Sequence, residues 1–135
     1  MDIAIRYFTK SKKGNTEKLA NIVSNALGIE AFDVSRDLDY TTDKLILINA
    51  MYAADIDKQV KDFLQRNRGS IGEVINMNTS ASGSSTWKAV KKVTDSLSMR
   101  LSDKEFHCAA SWIFINKGLP NEDDYKRAVD FVKSL

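Results

Sequence analysis

A short polar segment near the start of the chain carries residue types that bind anions. Thr9-Lys10-Ser11-Lys12-Lys13-Gly14-Asn15-Thr16 follows an apolar run and precedes a helical pattern. The first backbone N–H groups of a helix have no partner within the helix, and the helix dipole attracts negative charge there. The hydroxyls of the segment would add donors, and Gly14 permits a close backbone approach or a positive φ. The segment therefore predicts a phosphate cradle; the alternative is a plain turn in which Asn15 or Thr16 caps the helix.

Other phosphate-binding and nucleophilic sites are excluded by the residues present. The chain lacks the glycine patterns G-x-x-x-x-G-K-[ST] and G-x-G-x-x-G. The predicted ends of the first and third strands, Phe8-Thr9 and Asn49-Ala50, carry no carboxylates for Mg²⁺. Phe114 stands where a phosphatase loop beginning at Cys108 would need an arginine. We therefore expect Cys108 to be a small core residue and His107 not to act as a catalytic base.

The composition is that of one ordinary globular domain, which we expect to span residues 1–135. The net charge of +2 is too small to indicate a nucleic-acid partner. No apolar run approaches the ~18–20 residues that span a bilayer, so no membrane partner is expected. The N-terminus lacks the features of a signal peptide, which makes a cytoplasmic, reducing location the default expectation. One cysteine and one histidine exclude an internal disulfide and a Cys/His zinc site.

Predicted strands and helices alternate along the chain, and together they would position the polar segment. Apolar runs predict strands at 3–8, 30–34, 44–49, 71–77 and 106–115, and apolar spacing predicts helices at 16–27, 60–64, 87–101 and 121–132. Such alternation predicts a parallel sheet with helices on both faces. Ligands of these sheets bind beyond the carboxyl ends of the strands, which selects three loops: the first (9–15), the second (50–55) and the third (78–85).

The first loop and its flanks resemble a known family. Tyr7-Phe8-Thr9-x-Ser11-x-x-Gly14-Asn15-Thr16-x-x-Leu19-Ala20 resembles the opening of flavodoxin-like proteins, which reads roughly aromatic-x-[ST]-x-[ST]-G-x-T before a helix. Asn116-Lys117-Gly118-x-Pro120-Asn121-Glu122-x-Asp124 is similar to the corresponding stretch of small bacterial flavodoxin-domain proteins. The resemblance covers essentially the whole chain. It implies a three-layer α/β/α flavodoxin-like fold, with a five-stranded parallel sheet of order 2-1-3-4-5, and FMN as cofactor.

Three groups of FMN contacts follow from the resemblance. The phosphate would lie among Thr9, Lys10, Ser11, Gly14, Asn15 and Thr16. The ring would lie beside Ala50, Met51 and Tyr52, with Tyr52 stacked on it. The pyrimidine edge and ribityl chain would touch Thr79, Ser80 and Gly83.

The chain also departs from the pattern of that family. Ala50 stands where proline is common, and the third loop has no aromatic residue to stack on the ring. Alanines follow Cys108 where related proteins often have glycine. Electron-transfer flavodoxins are usually strongly acidic, whereas this chain is slightly basic. Residues 6–18 hold five basic residues and one acid, and residues 33–62 hold seven acids and four bases; this distribution is either ordinary solvated surface or acidic charge flanking the second loop.

The predicted function is FMN-dependent electron transfer with a redox partner protein of unknown identity. One alternative is an FMN-dependent NAD(P)H:quinone or flavin reductase, which often has insertions that a chain of 135 residues has little room for. The other alternative is a cofactor-free flavodoxin-like domain that binds a partner. In the first two cases the flavin would be the reactive group, and the residues would hold it and tune its ring.

Overall fold

The computed structural model describes residues 2–10, 14–111 and 115–135. Over these residues, one parallel sheet of order β2-β1-β3-β4-β5 is formed by β1 (Ile3–Tyr7), β2 (Ala31–Asp33), β3 (Thr42–Ala50), β4 (Ile71–Ser80) and β5 (Phe106–Ala109). The helices are α1 (Asn15–Leu27), α2 (Lys58–Asn67), α3 (Trp87–Ser96) and α4 (Glu122–Lys133), with a 3₁₀ turn at Arg68–Ser70. The predicted fold class and strand order are confirmed.

The middle of the central strand β3 is apolar because both of its faces are covered. Residues 45–48 of β3 are fully buried. Ile46 and Ile48 pack toward α1 and α4, whereas Leu45 and Leu47 pack with residues of α2 and α3. The alternation of side chains along a strand thus builds one core on each face of the sheet.

Several helix ends follow the local signals of the sequence. Gly28 ends α1 with a φ of +66°, a conformation that costs glycine little. The Asp57 side chain accepts from the Gln59 N–H at the start of α2. Asn121 and Asp124 form a reciprocal capping box at the start of α4. The Asp57 and Asn121 side chains thus satisfy backbone N–H groups at the starts of α2 and α4.

Three predicted element ends differ in the structure. Helix α3 stops at Ser96 instead of reaching Leu101, because Ser98 has a φ of +55° and turns the chain. Leu101 instead lies beside β4, where Val74 bonds to the backbone of residues 100 and 102. Strand β5 ends at Ala109 instead of continuing to residue 115, and part of that predicted extension, 112–114, lies outside the described residues. Strand β4 runs three residues past its predicted end at Met77.

Strand register brings the three loops to one edge of the sheet. Tyr7 pairs with Ile48, and Ala50 pairs with Thr79. The ends of β1, β3 and β4 therefore lie side by side, as the topology requires. No helix of the described residues is long and apolar enough to cross a membrane.

Candidate functional site

A cavity of about 760 Å³ opens at the carboxyl ends of β1, β3 and β4. Ten of the twelve predicted contact residues line it: Thr9, Lys10, Gly14, Asn15, Thr16, Ala50, Met51, Tyr52, Thr79 and Ser80. Gly83 is not among the lining residues, and Ser11 lies outside the described part of the chain. Loops separated by up to about seventy residues thus converge on one space, as expected for this kind of sheet.

The start of α1 faces this cavity without a side-chain cap. Gly14 is the N-cap residue, in extended backbone, and makes no side-chain capping bond. The predicted alternative, a cap by Asn15 or Thr16, is therefore wrong: both residues already belong to the helix. The Asn15 amide instead donates to the Ser111 hydroxyl over 3.2 Å. Backbone N–H groups at an uncapped helix start, together with the dipole, favour an anion at this end of the cavity.

Thr16 is joined to the end of β4. Its hydroxyl oxygen lies 2.9 Å from the hydroxyl oxygen of Thr79, and each residue is only 3% exposed. A hydroxyl pair uses one of its two protons in the mutual bond, so the other proton remains available for a ligand. The pair therefore connects the first and third loops and retains one donor.

Tyr52 is held by the first loop. The backbone N–H of Lys10 donates to the Tyr52 hydroxyl over 3.0 Å, and the Lys10 Nζ lies 4.5 Å from the centre of the Tyr52 ring. The same ammonium lies 3.6 Å from the Asp57 carboxylate. These contacts fix the orientation of a half-buried aromatic ring at the wall of the cavity.

The second loop is a tight turn. Tyr52 and Asp55 exchange both backbone hydrogen bonds, at 2.8 and 2.9 Å. Between them Ala53 and Ala54 have φ values of +50° and +62°. Left-handed backbone is unfavourable for alanine, so the structure around this turn must hold it in place. The two backbone hydrogen bonds between Tyr52 and Asp55 restrain the second loop.

The third loop is more strand-like than predicted. Residues 78–80 belong to β4, and the N–H of Met51 donates to the Thr79 carbonyl over 3.2 Å. The amide of Asn78 and the hydroxyl of Ser80 both donate to the carbonyl of Ser84. Gly83 has a φ of +75° and reverses the chain after β4 instead of lining the cavity.

A closed ring of buried hydrogen bonds joins β3, β4 and the start of α3 beneath the second and third loops. Thr86 donates to the Asn49 Oδ1 over 2.7 Å, Asn49 donates to the Asn76 Oδ1 over 2.8 Å, and Asn76 donates back to the Thr86 hydroxyl over 3.0 Å. The Thr86 N–H also donates to Asn78. This network was not predicted, although Asn76 inside the apolar run 71–77 is a polar residue that a buried strand would have to pair.

Four lining residues of the cavity were not predicted as contacts, and two of them lie in the loop after β5. Ala53, Ala81, Ala110 and Ser111 complete the cavity wall. The Asn116 amide donates to the carbonyls of Ala81 and Ala110 and fastens this wall to the third loop. The rule that selected the other three loops also applies to the end of β5 and would have found Ala110 and Ser111.

Residues with other reactive groups lie away from the cavity lining. The Trp87 indole N–H donates to the Ser102 carbonyl, and His107 is exposed beside Glu105. Cys108 is buried in the core as predicted, and burial raises the pKa of its thiol to about 11. Among the described residues, no group of histidine, cysteine or carboxylate side chains could hold a metal.

The cavity is lined mainly by groups that can bind a ligand. Its described lining offers hydroxyls, amides, backbone groups, one lysine, one tyrosine and one methionine, with no carboxylate, histidine or cysteine. A serine or threonine nucleophile is commonly activated by an adjacent base, and the described lining offers no histidine or carboxylate for that role. The lining therefore suits a ligand with an anionic end and a flat aromatic part.

Comparisons with known proteins agree with the fold. No protein-family model matches the chain, and no curated protein matches it. A flavodoxin from the domain Archaea is 10% identical, with a TM-score of 0.72 over 99% of this chain and 95% of that chain. Flavodoxin 2 from Bacillus cereus is 16% identical, with a TM-score of 0.69 over 99% and 97%. An NADH:FMN oxidoreductase (EMOB) is 18% identical, with a TM-score of 0.61 over 98% and 89%.

Proposed function

We propose that this chain, whose fold is flavodoxin-like, binds FMN in the cavity and carries electrons to or from a partner protein. The observation that supports this proposal is the cavity lining, which combines an uncapped helix start and hydroxyl donors for an anion with Tyr52 and Met51 for a flat ring. The solved structures of the same fold include flavodoxins and an NADH:FMN oxidoreductase. FMN, when bound, would supply one- and two-electron chemistry.

The residues present fit FMN in size and in donor chemistry. A volume of about 760 Å³ lies within the roughly 300–1,000 Å³ of small-molecule sites. The uncapped start of α1, with Gly14 beside it and a hydroxyl proton of the Thr16–Thr79 pair, would hold the phosphate. Tyr52 and Met51 would contact the ring, since aromatic and thioether groups pack well on flat π-systems.

The proposal also covers the extent of the domain, its location and its partner. The chain acts as a single domain over residues 1–135, in the cytoplasm, without nucleic acid or membrane. Its partner is a redox protein. The protein groups bind and orient the flavin, and the backbone groups at the ends of β3 and β4 present donors and acceptors to its polar edge.

A flavin titration tests the proposal. Purified protein is titrated with FMN and with riboflavin, which lacks the phosphate, while flavin fluorescence and the visible absorption bands are recorded. We expect FMN to bind more tightly than riboflavin, and Thr16→Val to weaken FMN binding more than riboflavin binding. No binding at millimolar FMN would refute the proposal and favour a cofactor-free partner-binding domain.

A second measurement separates carrier from reductase. The FMN-loaded protein is mixed with NADH or NADPH in the absence of oxygen and of other proteins. We expect the flavin absorption to persist for many minutes. Rapid bleaching by either nucleotide would identify the chain as a reductase and contradict the carrier proposal.

A further inference from the structure

A groove with excess positive charge lies between α2 and α3. Its volume is about 390 Å³, and its lining consists of Ala54, Asp55, Lys61, Lys88, Ala89, Lys92 and Val93. Ala54, Ala89 and Val93 give it an apolar floor, and three lysines stand against one carboxylate. We call this surface the basic groove.

The basic groove adjoins the cavity through the Ala53–Ala54 turn. Ala53 lines the cavity, and Ala54, the next residue, lines the groove. Tyr52 and Asp55 close this turn by two backbone hydrogen bonds and belong to the cavity and the groove, respectively. Anything bound in the groove would therefore lie one turn away from a ligand in the cavity.

The single carboxylate of the groove is already neutralised. Lys61 Nζ lies 2.8 Å from the Asp55 carboxylate. This hydrogen bond, the backbone N–H of Ile56 and the charges of Lys61 and Lys92 lower the pKa of Asp55. Lys88 and Lys92 are exposed and make no ion pair within 4.0 Å with a described carboxylate. Asp103 and Glu105 lie beside Lys88 in a separate cavity. The three lysines and one carboxylate that line the groove give it a net charge of +2.

The acidic residues of segment 33–62 do not change this excess. Asp57 lies near Lys10, Asp62 pairs with Lys58, and Asp37 pairs with Arg66. These carboxylates, which the sequence placed around the second loop, are matched by cations of other elements or of the next helical turn. Of the two readings of segment 33–62, acidic charge flanking the second loop does not describe the groove side of the turn, where lysines outnumber carboxylates.

We propose that the basic groove is the docking surface for an acidic protein, the electron-transfer partner of this chain. The proposal rests on the proposed function for the partner's role and on the groove itself for its charge. Complementary charge steers two proteins together and orders their encounter. The apolar floor between the lysines gives the docked partner a surface to desolvate. Docking there would bring the partner against the turn that separates groove from cavity.

Two double variants of equal charge change test the location of docking. Lys88→Glu/Lys92→Glu reverses the charge of the basic groove. Lys104→Glu/Lys133→Glu makes the same change in net charge at exposed lysines outside both the groove and the cavity. Thermal unfolding and FMN affinity are measured first, and both variants are expected to match the parent chain.

The first readout needs no flavin. Octaglutamate is titrated into ¹⁵N-labelled protein at low salt, and amide shifts are followed by NMR. We expect shifts at residues of the groove and an affinity about tenfold weaker in Lys88→Glu/Lys92→Glu. The Lys104→Glu/Lys133→Glu variant should bind within about twofold of the parent. Shifts confined to another face, or equal losses in both variants, would overturn the proposal.

The second readout uses the FMN-loaded, reduced protein in stopped flow. Ferricyanide takes one electron from the reduced flavin and becomes ferrocyanide, so two ferricyanide ions oxidise one flavin. We expect the rate to fall as salt rises, and Lys88→Glu/Lys92→Glu to be about tenfold slower at low salt. Tris(phenanthroline)cobalt(III), a cationic oxidant, should show the opposite order.

The two readouts separate the two proposals. If the protein takes up no FMN, the proposed function fails, and the peptide titration still decides whether the groove binds an acidic partner. If FMN binds but ferricyanide oxidises both double variants equally fast, the docking proposal fails and the carrier proposal stands.

Discussion

The hydroxyl oxygens of Thr16 and Thr79 lie 2.9 Å apart in a buried contact between the start of α1 and the end of β4. These residues come from two different loops of the candidate site. Because the contact excludes water from both hydroxyls, each depends on the other for a hydrogen-bond partner. The pair therefore links the stability of the fold to the arrangement of the cavity.

Thr16→Val and Thr79→Val should each lower the free energy of unfolding by about 1–3 kcal/mol, since each leaves one buried hydroxyl without its partner. The double variant should cost less than the sum, because removing both hydroxyls leaves no unpaired group. Urea unfolding of the four proteins measures this coupling. Thr16→Ser, which keeps the hydroxyl, serves as the control. Strictly additive effects would show that the contact contributes nothing.

The sequence could predict the parts of the fold that depend on local pattern. The apolar run at the centre of β3 predicted a strand buried on both faces, and the apolar spacing over residues 121–132 predicted α4. The position of the candidate loops followed from the topology alone. Such signals are local, or follow from rules that hold for any parallel sheet.

The sequence could not predict contacts that join distant segments. Asn78 was predicted to lie in a loop, yet its bond to the Ser84 carbonyl allows it to be buried in β4. Leu101 fitted the spacing of α3 and instead pairs with β4. The cancellation of acidic charge near the second loop likewise depends on pairs such as Lys10 with Asp57, which are far apart in sequence.

Thr86→Val should destabilise the chain by about 2–3 kcal/mol. It leaves the Asn49 Oδ1 and the Asn76 amide without the hydroxyl that both of them use, in a fully buried place. Thr94→Val is a matched control, since the buried Thr94 hydroxyl donates only to the Lys91 carbonyl of its own helix. Chemical unfolding compares the two variants. Equal losses would contradict a special role for the asparagine ring.

Cys108 should make the chain less stable in alkaline solution. Burial raises the pKa of its thiol from the ordinary 9.0 to about 11. Below pH 9 the thiol is protonated in both the folded and the unfolded chain, so nothing is lost. Between pH 9 and 11 only the unfolded chain releases the proton, which favours unfolding. The stability is therefore expected to fall across this window.

The control for this effect is Cys108→Ala, measured by urea unfolding from pH 7 to 11. It should show a shallower decline than the parent chain. Some decline should remain, since burial also raises the pKa of Tyr7 and Tyr125, which act in the same direction. Identical slopes in both proteins would rule out a contribution from the thiol.

Tyr52→Phe should separate the two ends of the proposed flavin site. The change keeps the ring and removes the hydroxyl oxygen that accepts from the Lys10 N–H. Because this bond holds the first loop, we expect FMN affinity to fall roughly fivefold, equivalent to about 1 kcal/mol, with the visible bands of bound flavin unchanged. Riboflavin, without a phosphate, should lose less affinity. Tyr52→Ala should alter the visible bands and weaken the binding of both flavins.

Tyr40→Phe, at an exposed tyrosine outside the cavity, is the control and should change neither the flavin affinities nor the visible bands. Equal losses of FMN and riboflavin in Tyr52→Phe would show that the Lys10 contact does not serve the phosphate end.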